Sequence, residues 1–264
     1  RDFEAGQCDG VVATGVRLQR FNRFPSTVEA MGALPTYAHL KELLKTVTTS
    51  PAAAQKLAKD GRETVGFIPV GAVYLFVRDR NVASVPALAG KRIATMDYDK
   101  AAPAMVARVG AVMVPADLGT IGPKFNNGAV DAAYVSAPAY EPFELHRGLA
   151  SSGGVLKSPL AQATLQVMVK SSAFPADFGA KSRTWFLGRF DHAVGLAQKA
   201  EGGIPAKYWV DIPAAESAGW ADMFLDVRVK LRDEGAYDPT MLKVMRSIRC
   251  KMDAARAECA ENRE

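Results

Sequence analysis

Apolar residues fall at helical spacing in "YAHLKELLKTV", residues 37 to 47, where Leu40, Leu43, Leu44 and Val47 share one face. The next stretch, "SPAAAQKLAKDG" (50 to 61), offers Ser50 as N-cap, Pro51 at the first helical position and a closing Gly61, so a second helix is predicted. Two short apolar runs follow, "TVGFIPV" (64 to 70) and "AVYLFVRD" (72 to 79). Rich in β-branched and aromatic residues and too short for buried helices, they read as two buried strands. From 85 to 137 the texture alternates: strand 91 to 96, helix 100 to 109, strand 111 to 114, helix 117 to 126, strand 130 to 135. Such alternation with short connections predicts parallel βαβ units and a doubly wound α/β layer. From about 174 onward every segment is helix-patterned.

Two extended segments, 74 to 81 and 165 to 175, stand between these blocks. Two crossings of the chain imply a discontinuous first lobe, 1 to 77 plus 172 to 264, and a second lobe, 78 to 171, with the crossings as hinge strands. In open α/β sheets a ligand sits beyond the carboxyl ends of the strands. The ends of "GVVATG" (10 to 15) and "DAAYVSA" (131 to 137) are therefore expected to line a cleft. Each run is introduced by the same phrase, a glycine, two residues and an aspartate (Gly6 and Asp9, Gly128 and Asp131). Taken alone, that phrase is a chain leaving a helix and turning into a strand.

Composition narrows the function classes. The 264 residues are 48% hydrophobic and 23% charged, ample for one large or two modest cores. The formal charge of +5 comes from scattered basic residues that do not interleave with aromatics, which argues against nucleic-acid binding. No run approaches the ~18 apolar residues of a transmembrane segment. The opening "RDFEAG" has no methionine or secretory core and reads as a processed or truncated start.

Chemistry is sparse. Cys8, Cys250 and Cys259 fit neither a zinc site nor a redox pair. On one straight helix Cys250 and Cys259 would be roughly 13 Å apart, twice the reach of a disulfide. Either the helix breaks near Asp253 and they bridge in an oxidising compartment, which is the preferred reading, or three reduced thiols remain. His39, His146 and His192 have no metal-ligand spacing, Ser136 lacks a nucleophile elbow, Cys8 has no partner base, and "GKR" (90 to 92) is not a phosphate loop. Asp97 and Asp99 are more simply helix-capping residues than an acid/base pair. No metal or cofactor is expected, and an enzyme on the same scaffold is the lesser alternative to a binding protein.

The order of "LAGKRIA", "VARVGAVMVPAD" and "NNGAVDAAYVS" is similar to the second lobe of periplasmic solute-binding proteins of the TRAP type. "EAGQCDGVVATG" followed by "VEAMGALPTY" resembles the first lobe, and the two resemblances together cover about two thirds of the chain. The family's first strand and helix have no counterpart here. The resemblance implies a two-lobed type II binding-protein fold, hinge closure on a ligand, a periplasmic location and a membrane transporter as partner. It also implies an arginine where this chain has Ala94; Arg92, two residues earlier, and Arg17 are candidate substitutes. "GQCDGVVATGVRLQRFNRF" further resembles a narrower group associated with RND-type exporters, which includes the periplasmic component of bacterial sterol transport. The ligand-binding residues expected are Thr14, Arg17, Tyr74, Thr95, Met96, Asp97, Tyr98, Ser136 and Tyr140, with Phe21, Phe24 and Phe76 divided between cleft and core. An apolar lining with a few hydroxyls suits a sterol or other lipid. The alternative is a TRAP-type binder of a small organic acid.

Overall fold

The computed structural model describes residues 2 to 261, 263 and 264. Nine strands are present among them: β1 (Gly10–Thr14), β2 (Ala58–Lys59), β3 (Arg62–Val77), β4 (Arg92–Met96), β5 (Val112–Ala116), β6 (Ala132–Ser136), β7 (Gly154–Leu156), β8 (Ala161–Lys170) and β9 (Trp209–Val210). They form one mixed sheet in the order β1-β8-β3-β6-β4-β5, with β2 hairpinned onto β3 and β7 joining β3 to β9. The early helices are α1 (Gly15–Leu18), α2 (Arg23–Ser26), α3 (Tyr37–Thr49) and α4 (Pro51–Leu57). Between the parallel strands come α5 (Ala101–Arg108) and α6 (Ile121–Asn126), then α7 (His146–Leu149). The helical end comprises α8 (Phe178–Gly188), α9 (Phe190–Gly203), α10 (Ser217–Asp233) and α11 (Pro239–Met252).

The α/β, two-lobed class expected from the pattern is the one found. The doubly wound arrangement is confined to β5-β4-β6, which pair in parallel through α5 and α6. The pairings of β1, β8 and β3 are antiparallel. Three local expectations change. The runs 64 to 70 and 72 to 77 form one strand, not two, because β3 absorbs its irregular residues as bulges at Thr64/Gly66 and Pro69/Gly71. Pro69 has no N–H for the ladder and Gly71 sits at φ +132°, so both belong at such a break. Gly61 does not close a helix: α4 stops at Leu57, and Asp60-Gly61, at φ +49° and +70°, make the tight turn of the β2–β3 hairpin.

β3 changes partner along its length. Its first part pairs with β8 as far as Val73, and Val73 to Val77 pair with β6. Within the helical end, β9 pairs with β7 and α10 packs on α5, so 206 to 233 lie against the second half of the sheet. By contrast α8 packs on β3 and α11 on α3.

Phe24 to Leu34 is buried without interruption, although beyond α2 it holds only a 3₁₀ turn (Thr27–Glu29). Its carbonyls receive donors from elsewhere. Gln166 Nε2 donates to Pro25 O (2.9 Å) and Gln162 Nε2 to Leu34 O (3.2 Å), both from β8. Arg228 Nη1 donates to Met31 O (3.0 Å) and Arg249 Nη1 to Ala33 O (2.9 Å). Both buried guanidiniums are neutralised by Glu258 and Glu264, which the end of the chain folds back to deliver. The helix does break at Asp253, and Cys250 and Cys259 form the disulfide that holds this return, with Cα atoms 5.6 Å apart; Cys8 is free and exposed.

The disulfide closes a short loop, a constraint worth about 2 to 3 kcal/mol by chain entropy. Cys250→Ser/Cys259→Ser is therefore expected to lower Tm by several degrees in a thermal melt, with the far-ultraviolet circular dichroism at room temperature unchanged. Burial pushes the Glu258 carboxyl up, but hydrogen bonds and charge from Arg249, Arg256 and Arg228 outweigh it and hold the group down at about 2. A carboxylate depressed in the folded state stabilises the fold above its unfolded pKa, and that contribution is lost as pH falls through the folded value. Glu258→Gln is thus expected to melt below wild type at about pH 7, the gap closing between about pH 4.5 and about pH 2.

Candidate functional site

Between the two halves lies a slot of about 200 Å³. Its first wall carries Thr14 at the end of β1, Val16 of α1, Glu29 and Met31 of the buried loop, and Ala161 and Ala163 of β8. The second wall carries Met96 and Tyr98 after β4, Asp99 and Met105 around the start of α5, and Tyr134 and Ser136 of β6. Phe143 closes one end, and Val73 of β3 lies where the walls meet. The ends of "GVVATG" and "DAAYVSA", Thr14 and Ser136, both line this slot.

Each wall contains one carboxylate. Glu29 accepts four hydrogen bonds: Gly15 N (3.0 Å), Val16 N (2.9 Å), Thr164 N (2.8 Å) and Thr164 Oγ1 (2.8 Å). Burial raises its pKa, and those donors pull the other way. Gly15 has to be glycine for this clasp, since a Cβ there would stand 2.6 Å from Gln166 Nε2 and 2.9 Å from the Glu29 carboxyl carbon. On the other wall, Asp99 accepts from Ala101 N (2.8 Å), Ala102 N (3.4 Å) and Tyr134 Oη (2.8 Å). Tyr134 Oη in turn accepts from Met96 N (3.1 Å). Burial raises the pKa of Asp99, opposed by these same donors, and burial also raises that of Tyr134. Asp99 is thus the capping residue expected, while Asp97 points to solvent.

The lining holds no lysine, arginine or histidine among the described residues. Ala94, where the TRAP resemblance implies an arginine, is buried in the core of the second lobe. Arg92 is no substitute: it grips Asp131 through Nε (3.1 Å) and Nη2 (2.7 Å) at the surface, and that hydrogen bond holds the Asp131 pKa down. Arg17 stands at the rim, its Cζ 3.8 Å from the ring centre of Tyr98, so that first and second walls touch there.

Of the nine residues expected from the sequence, Thr14, Met96, Tyr98 and Ser136 line the slot, and Arg17 meets it at the rim. Tyr74, Thr95, Asp97 and Tyr140 do not. Strand alternation turns Thr95 away from Met96 and into the protein, where it is 2% exposed. Tyr74 lies across β3 from the slot and donates to Glu201 Oε1 (3.1 Å), its ring edge-on to Trp209. Glu201 also receives Tyr37 Oη, which accepts from Ala72 N (3.0 Å) beside the Gly71 bulge. Tyr140 is core, stacked on Phe76 at 6.4 Å. Phe76 and Phe24 are core as well. Sequence reasoning missed Glu29, Met31, Tyr134 and Phe143; the one signal for Glu29 is a lone acid inside an otherwise apolar "VEAMGALP".

Two α/β lobes sharing a strand, with a mainly apolar slot between them, define a two-lobed solute-binding protein. Among solved structures the fold is similar to a TRAP periplasmic solute-binding protein from Desulfovibrio salexigens with bound orotic acid, at a TM-score of 0.75 and 17% identity, over 95% of this chain and 83% of that one. It is likewise similar to one from Ralstonia eutropha with bound (S)-2-acetolactate, at a TM-score of 0.76 and 15% identity, over 95% and 82%. The family profile Solute-binding protein AdeT 1/2 matches residues 1–264, and the chain belongs to that family. Its curated relatives include the probable solute-binding protein AdeT1 of Acinetobacter baumannii, 36% identical over 263 residues that span all of this chain and 86% of that one.

One polar atom of the slot is unpaired: Thr14 Oγ1 is buried without a hydrogen-bond partner. A buried hydroxyl left so is destabilising by about 1–3 kcal/mol, which a polar group of a solute would relieve. Thr14→Val is therefore expected to leave Tm unchanged or raised while weakening solute binding by about tenfold in calorimetry. A fall in Tm would show that the hydroxyl serves the fold instead.

Proposed function

We propose that this protein captures a small organic acid in the slot between its lobes, in the periplasm, and presents it to a membrane transporter, of TRAP type by analogy with the fold neighbours. The observation that carries the reading is the slot itself: about 200 Å³, walled by both lobes, mainly apolar, with a buried, unpaired hydroxyl at Thr14. That volume is below the ~300–1,000 Å³ of pockets that hold drug-sized ligands. That size favours the small acid over the sterol or lipid, and with it over the RND-type partner, that the sequence suggested. The orotic acid and (S)-2-acetolactate held by the fold neighbours support the same class. Among the described residues no helix is long and apolar enough to cross a membrane.

Closure in this reading is a hinge motion of lobe one (1 to 77 and 172 to 264) against lobe two (78 to 171), with 206 to 233, which pack on β7 and α5 while Arg228 holds Met31 O, bridging the two. The pivot is placed where β3 exchanges β8 for β6, at Gly71 to Val73, somewhat before the extended segment 74 to 81. The Tyr37–Glu201–Tyr74 cluster braces that point from the far side.

Mass spectrometry of the protein purified without exogenous ligand, under native conditions and then after denaturing extraction, tests the reading. A co-purified acid of small mass, displaced when Tyr98→Ala is introduced, is the expected result. A co-purified lipid would overturn the choice of ligand, and covalent turnover of the extracted compound by the protein would overturn the class.

A further inference from the structure

The slot opens at Val16 and Tyr98 onto a second, shallower pocket of about 600 Å³ whose character is the opposite of its own. Five cations line it: Arg17, Arg20 and Arg23 from α1, α2 and the turn between them, Lys59 from β2, and Lys100 from the far wall. Among the described residues the ion pair in this cluster is Arg20 with Glu4, at 2.9 Å and exposed. No acid lies within ion-pair distance of Arg17, Arg23, Lys59 or Lys100 among those residues, and Arg23 hydrogen-bonds a carbonyl, Gly235 O. Uncompensated like charges on one concave surface raise the local potential and gather anions.

We propose that this basic vestibule is the anion-binding part of the site, taking the carboxylate of an amphiphilic monoacid whose body, apolar but for a polar group that can meet Thr14 Oγ1, enters the slot; the proposal rests on the solute-capture reading above and fixes the orientation of the solute within it.

Three observations set that orientation. First, the slot is lined by two acids and, among the described residues, by no cation, so a carboxylate buried there would find no charged partner in a poorly solvated place. Second, Glu29 is held by four donors of the protein, three on Oε1 and one on Oε2, so its carboxyl is fixed as a clasp of α1 and β8. Third, Arg17 lies with its guanidinium over the ring of Tyr98 at 3.8 Å. A guanidinium stacked by its face keeps its N–H groups in its own plane, free to fork onto a carboxylate at the slot's mouth. The stack joins α1 to the segment after β4, so the carboxylate would be gripped where the two walls meet.

The test compares matched compounds that differ in the head group alone: a series of acids from butyrate to 4-phenylbutyrate, their amides and their amines. Calorimetry on the full chain is run at about 20 mM and about 200 mM salt. The acid is expected to bind about tenfold more tightly than its amide at low salt, the advantage shrinking at high salt. In Arg17→Gln the acid and amide are expected to converge within about twofold, with the amide's affinity unchanged. Lys100→Gln, on the opposite wall, is expected to give a smaller loss in the same direction. Equal binding of acid and amide by wild type overturns the vestibule and leaves solute capture standing. So does tightest binding of the amine, which would hand selectivity to Glu29 and Asp99. Arg17-dependent binding of inorganic phosphate or anionic phospholipid vesicles, with acid and amide equal, would make the patch a free-anion or membrane surface and overturn the proposal. Failure of every compound to bind overturns it as well, while the co-purified mass decides the broader reading separately.

Discussion

Backbone without a ladder of its own can be buried only if each carbonyl finds a donor, and the wall of this slot is made of such backbone. Between Phe24 and Leu34 the chain is fully inside, yet beyond α2 it has a single 3₁₀ turn to offer internally. Two glutamines of β8 and two buried arginines of the helical end supply what is missing. The arginines are tolerable in the interior because Glu258 and Glu264 meet them, and the Cys250–Cys259 bridge keeps Glu258 in reach. Glu29 is the same solution seen from the acceptor side, tying the start of α1 and Thr164 of β8 to the loop that carries it. The position of half of the slot therefore depends on donors 128 to 216 positions away along the chain.

The second constraint is the strand held in common. β3 is paired on β8 in one half and β6 in the other, and it is bulged at Gly66 and Gly71. A jaw built this way presents opposed strand ends to one another, which is why Thr14 and Ser136 converge. The electrostatics follow the same division. Acids held by main-chain donors line the interior, and cations borne by α1, α2, β2 and the residue before α5 surround the entrance. The TRAP resemblance implies a guanidinium at the position of Ala94, within the second lobe. Here the guanidinium nearest the slot's mouth, Arg17, belongs to the first lobe and lies at the surface, stacked on Tyr98.

The alternating block from 91 to 135 was legible because helix and strand periodicities differ and both are local; the elements appear within a few residues of where the pattern places them. The helix break at Asp253 and the reach of a disulfide were likewise short-range geometry. The role of "QATLQ" in β8 was not legible for an equally physical reason. Polar residues alternating in a strand ordinarily mark a solvent face, but Gln162, Thr164 and Gln166 face a loop that needs their hydrogen-bonding groups, and all three are buried.

The amino-acid sequence alone determined the α/β class, the parallel unit of the second lobe, the likeness to two-lobed binding proteins and the strand ends that supply Thr14 and Ser136, because these follow from periodicity and order along the chain. Only the tertiary structure decided that Tyr74 and Tyr140 are spent on the core, that Glu29 is a clasp, that Arg92 is bound to Asp131, and that an apolar slot of modest volume opens onto five cations. Which side of a strand meets solvent, and which charge is left without a partner, depends on what the rest of the chain brings against it.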